Sequence, residues 1–177
     1  FNDDMLASPI LETAPFKKWF GKSKVVDGEG KPLVVYHGTK ADFTEFKRSK
    51  GGEFGSGMYF SDTPDSARMF GGFQSGSAEV ATMAVYLSLK NPLITNDRNI
   101  PRGAGIKSLM KKGYDGVIGT TPNGQKQYIA FSPEQIKSAT GNRGTFDPTS
   151  PDILASPSID QDGILGVKDV SELKSRP

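Results

Sequence analysis

Gly55-Ser56-Gly57-Met58-Tyr59-Phe60-Ser61-Asp62 is the stretch on which the fold of this chain turns. It leaves a glycine-rich loop, Gly51 to Gly57, and enters three residues of strand character. Asp62-Thr63-Pro64 then offers a helix cap with Pro in the first turn. The loop matches neither Walker nor Rossmann spacing, and taken alone it reads as a mobile surface loop. The helix is predicted to run to about Phe70, where Gly71-Gly72 stops it.

Upstream, Val25-Val26, an Asp27-Gly28 turn and Leu33-Val34-Val35-Tyr36-His37 predict a hairpin with a buried second strand. Before it, Pro15 to Gly21 reads as a short helix whose Phe16, Trp19 and Phe20 share a packing face. Downstream, Ala81 to Leu89 predicts a central strand ended by Asn91-Pro92, and residues 102 to 112 a helix stopped by Gly113. Val117-Ile118 and Tyr128 to Phe131 predict two strands bridged by the polar loop Gly119 to Lys126, and Ile136 to Ala139 an edge strand. Several short strands with few helices make an α+β domain. Its expected extent is residues 14–146, with a linker over 1–13 and an irregular tail over 147–177.

Composition agrees. Of 177 residues only 35% are hydrophobic, while 21 Gly and 12 Pro describe a loop-rich chain. Cysteine is absent, which excludes disulfides and thiolate catalysis, and a single His argues against zinc, so no metal is expected. A net charge of +2 is too mild to demand a nucleic-acid partner. No apolar run is long enough for a bilayer, so a soluble domain without membrane partners is expected. There is no signal-peptide pattern, and the start at Phe1 fits a piece of something longer. Asp4-Met5-Leu6-Ala7-Ser8-Pro9 nearly repeats as Asp152-Ile153-Leu154-Ala155-Ser156-Pro157, as inter-domain junctions or cleavage sites of a polyprotein would.

Three segments carry the chemistry: Tyr36-His37-Gly38-Thr39, the glycine-flanked Tyr59-Phe60 with Phe70 at helical distance, and Gln127-Tyr128-Ile129-Ala130-Phe131. A lone His is more often structural than catalytic, but Gly38 beside it allows a ligand close to the backbone. Together with Tyr114-Asp115-Gly116-Val117-Ile118 and Phe131 to Ala139, these segments resemble the His-Tyr-Glu superfamily of ADP-ribosyltransferases, the diphtheria-toxin and poly(ADP-ribose)-polymerase type. More narrowly, Phe16 to Ile153 is similar to the transferase modules in polyvalent proteins of phages and mobile elements.

The resemblance implies a small split antiparallel sheet and NAD as co-substrate. It assigns His37 to the 2′-hydroxyl of the nicotinamide ribose, the Gly38 backbone to the carboxamide, with Thr39 beside it, and Tyr59 and Phe70 to the two faces of the nicotinamide ring. A flat cation between electron-rich rings gains roughly 1 kcal/mol or more per contact. Where the family carries its catalytic carboxylate, this chain has Gln127, an amide that orients a hydroxyl but supplies no negative charge. Three remedies stand open: a base on the acceptor, Glu134 from the next turn, or Gln127 sufficing for a slow transferase. Gln125-Lys126-Gln127 also has the spacing of the acceptor-recognition pair of bacterial toxins.

The implied function is a mono-ADP-ribosyltransferase acting on protein or nucleic acid, since chain elongation would need Glu at position 127. The rivals are a lapsed NAD-binding module and an NAD glycohydrolase. The implied setting is the host bacterial cytoplasm or a virion before delivery. Arg68, on the helix after Tyr59, is a candidate for an NAD phosphate, and periodicity leaves its direction open. The basic groups Lys17, Lys18, Lys22, Lys24 and Arg102, Lys107, Lys111, Lys112 read as solvated faces.

Overall fold

The computed structural model describes residues 9–75, 80–96, 104–142 and 144–154. Helix α1 (Ala14–Phe20) starts where the Thr13 side chain accepts the Phe16 N–H, with Pro15 in the first turn. Its Phe16, Trp19 and Phe20 are buried against Tyr86 and Phe146. The strands are β1 (Val35–Thr39), β2 (Met58–Ser61), β3 (Ala81–Leu87), β4 (Pro92–Thr95), β5 (Gly116–Thr120), β6 (Lys126–Ala130) and β7 (Ile136–Ser138). Helices α2 (Pro64–Ser75) and α3 (Ala104–Lys111) complete an α+β fold. One sheet runs in the order β4-β5-β6-β2-β1-β3-β7, antiparallel apart from the parallel β4–β5 pair.

The sheet is split at its middle. β2 pairs with β6 over four residues and β1 with β3 over five, yet β1 and β2 are in register only at Tyr36–Ser61. Beyond that pair the two strands part. Side chains alternate across the pleat, so the sheet has two apolar faces. Met58, Phe60, Ile118, Tyr128 and Val85 pack into the larger cluster. Phe54, Ile106, Val117, Ile129 and Phe131 form the other, with Tyr59 partly buried against it.

Several elements differ from the sequence reading. Val25-Val26 makes no strand: a lone bridge joins Val26 to Pro32, and the Asp27 carboxylate accepts the Glu29 and Lys31 N–H groups. α2 passes through Gly71-Gly72 to Ser75. Gly71 is needed for packing against β1, because a Cβ on it would lie 2.7 Å from the Gly38 carbonyl oxygen, and one on Gly38 would collide with the Ala67 carbonyl. β3 is paired on both sides but lies one strand from the sheet edge. β4 is an edge strand that Asn91-Pro92 concealed, its Pro sitting at the first position, where no donor is needed. The loop after Gly119 shrinks to Thr121–Gln125, closed by the Thr121 N–H on the Gln125 carbonyl at 2.9 Å. Residues 102 and 103 of the expected third helix lie outside the described residues.

Past Gly144 the chain is irregular but packed. Phe146 is buried edge-on to Phe16, and Ile153 enters the main cluster. Buried Lys137 donates from Nζ to the carbonyls of Ser150 (2.7 Å) and Asp152 (3.1 Å), tying this segment to β7. Residues 4–8 and 155–157 of the two near-repeats lie outside the described residues. Among the described residues no helix is long and apolar enough to cross a membrane.

Candidate active-site cleft

The parting of β1 and β2 leaves a gap that the His37 side chain bridges. Its Nδ1 lies 2.8 Å from the Tyr59 carbonyl oxygen. A carbonyl only accepts, so Nδ1 carries the proton and a neutral ring keeps its lone pair on Nε2. Phe43, Phe46 and Phe60 stand around the imidazole, with ring centroids 6.2, 5.0 and 5.6 Å away. Burial lowers the His37 pKa from its usual value, opposed by the Tyr59 hydrogen bond. The neutral ring is thus favoured at physiological pH.

A second feature is the row of residues in register across the sheet: Tyr36 on β1, Ser61 on β2, Gln127 on β6 and Gly119 on β5. Directly paired residues share a face. Tyr59, two residues before Ser61, is on the same face as Gln127. α2 covers β1 and brings Phe70 over this face. The result is an open cleft lined by His37, Gly38, Tyr59, Phe70, Gln127 and Glu53, among others.

Glu53 had no place in the sequence reading. The glycine-rich loop is no mobile excursion: Phe54 is buried, and its ring lies so close over Gly119 that a Cβ there would be 2.5 Å from Phe54 Cε2. Gly52 lies equally close to the Tyr59 ring. The Tyr59 hydroxyl accepts the Phe54 N–H at 3.0 Å and donates to the Gly55 carbonyl. Held on both sides, Glu53 accepts a 3.0 Å hydrogen bond from Gln127 Nε2. Gln127 is itself buried, and its Oε1 has no hydrogen-bond partner among the described residues. The one signal in the sequence was that Glu53 is the only charged residue between Gly51 and Gly57.

The other candidates lie elsewhere. The Thr39 hydroxyl is engaged with the backbone of Ala41, and Thr39 is not among the cleft's lining residues. Arg68 pairs with Asp65 on the exposed side of α2. Glu134 is in the short 3-10 turn Pro133–Gln135, past the far end of β6 from Gln127, where its carbonyl accepts the Trp19 indole N–H. Glu134 does not line the cleft. Lys17 pairs with Glu12, while Lys18, Lys22, Lys24, Lys107, Lys111 and Lys112 are exposed and do not line the cleft. Arg102 lies outside the described residues.

The family described as ADP-ribosyltransferase in polyvalent proteins matches residues 27–105 and 99–146, more than half of the chain. The chain belongs to that family. No curated protein matches it. The matched stretches hold β1 through β7 and therefore the whole lining of the cleft.

Proposed function

We propose that this domain cleaves the nicotinamide–ribose bond of NAD and transfers a single ADP-ribose to a macromolecular acceptor. The observation that carries the proposal is the convergence of His37, Gly38, Tyr59, Phe70 and Gln127, from four separate elements, on one cleft at the split of the sheet. An open cleft lined by ring faces and a few convergent polar groups suits the nicotinamide–ribose end of the dinucleotide, the remainder leaving through its mouth.

Each residue has a task it can do chemically. Neutral His37 accepts the ribose 2′-hydroxyl on Nε2. The edge of β1 past Tyr36 is not paired to β2, so peptide groups there serve the carboxamide near Gly38. Tyr59 and Phe70 offer ring faces to the cationic nicotinamide. As the C1′–N bond breaks, its electron pair leaves with nicotinamide, which departs neutral, and positive charge builds on the ribose. The transition state is oxocarbenium-like, as in glycoside hydrolysis. An amide at Gln127 orients a ribose hydroxyl, which fits one transfer rather than chain growth. The family's name supports a place within a larger polyprotein, and the proposed place of action is a bacterial host.

The test is incubation with NAD labelled in its adenylate half and a bacterial lysate. Label fixed on protein or nucleic acid, with nicotinamide released, is the expected result. Nicotinamide release with free ADP-ribose alone would make the domain a glycohydrolase, and no release at all would leave a binding module.

A further inference from the structure

We infer that Glu53 is the catalytic carboxylate of this transferase, borne on the glycine-rich loop and handed to the reaction centre by Gln127. The inference rests on the NAD reading above. Gln127 occupies the strand position facing the cleft, and its buried amide donates to Glu53 Oε2 at 3.0 Å. The two side chains together do what a Glu at position 127 would do alone: one orients, the other carries the charge. Gln127 Oε1, buried and without a partner among the described residues, is the acceptor that remains for a ribose hydroxyl. A buried acceptor left unpaired is costly, and a substrate hydroxyl donating to it would relieve that cost.

The position of Glu53 is built rather than incidental. Its neighbours on both sides are seated, Gly52 against the Tyr59 ring and Phe54 on Gly119, so the loop cannot swing away without unpacking Phe54. Glu53 also lines two spaces at once. One is the cleft of His37, Tyr59 and Phe70; the other is an adjoining open groove lined by Phe70, Thr121, Asn123 and Gln125. A carboxylate on that border faces the developing ribose cation from one side and an incoming nucleophile from the other. As the C1′–N pair departs with nicotinamide, the acceptor's O–H or N–H lone pair forms the new bond to C1′. The proton it sheds passes to the Glu53 carboxylate and on to water, which balances the step. Negative charge preorganised beside a developing cation is the largest single aid available to such a reaction.

Glu53→Gln keeps size and hydrogen bonding while removing the charge. In the whole chain it is expected to slow nicotinamide release by about a hundredfold or more, with NAD affinity by calorimetry changed by less than about threefold. Exchanging the two groups, Glu53→Gln with Gln127→Glu, is expected to recover at least about tenfold of that loss. Wild-type turnover in Glu53→Gln would overturn the inference and leave the NAD reading standing. A fall in affinity as large as the fall in turnover would make Glu53 a mere tether of the loop. Wild-type protein that neither binds nor cleaves NAD would overturn both.

Discussion

His37 is walled by Phe43, Phe46 and Phe60, and desolvation holds its pKa below the usual 6.5. Protonation would put a second donor where the proposed mechanism needs an acceptor, so activity should fall only on acidification through that lowered value. Stability should follow the same sign. Below about pH 6.5 the unfolded chain binds the proton first, so folding free energy is lost as pH falls through the window between the two values. Melting curves from about pH 7 to about pH 5 should therefore drop more steeply for wild type than for His37→Gln. At saturating pH, His37→Ala should lower kcat by about tenfold to a hundredfold and affinity less, since ribose positioning matters most in the transition state. Equal losses in both would return His37 to a structural role. Among single residues, His37, Gly38, Tyr59, Phe70 and Gln127 were legible because short motifs surround them. Glu53 was not, because its partner Gln127 is 74 positions away and only the folded loop brings them together.

The loop from Gly51 to Gly57 is the element whose behaviour the sequence concealed. Glycine content reads as mobility, yet one buried Phe54 and one tyrosine hydroxyl fasten it to the sheet. Gly119 is the seat for that Phe, and a methyl group there would sit 2.5 Å from the ring. Gly119→Ala should displace Phe54, destabilise the domain by about 1–3 kcal/mol through overpacking, and lower turnover by moving Glu53. A variant with normal melting and normal nicotinamide release would show that the loop is not held in this way. The same logic explains the other misread elements. Gly71-Gly72 looked like a helix stop, but Gly71 lets α2 approach β1 closely at Gly38, and helix packing overrode local propensity. Pro92 looked like a strand end, although an edge strand tolerates Pro at its first residue.

Across the whole molecule, the split sheet joins fold and proposed function. Local patterns gave most strands, because short apolar runs bounded by Gly, Pro and Asn are visible without tertiary knowledge. The parting of β1 from β2 is not local. It follows from β1 holding five register pairs with β3 and one with β2, and from a His37 ring spanning the space between. That space, faced by Tyr59 and covered by the helix bearing Phe70, is where the nicotinamide end of NAD is proposed to lie. The most direct test is a calorimetric titration of NAD into wild type, Tyr59→Ala and Phe70→Ala, each first shown to be folded by circular dichroism. Binding to wild type, weakened by about fivefold or more in each variant, is the predicted result. Absence of binding to wild type, or equal affinity in all three, would contradict the account.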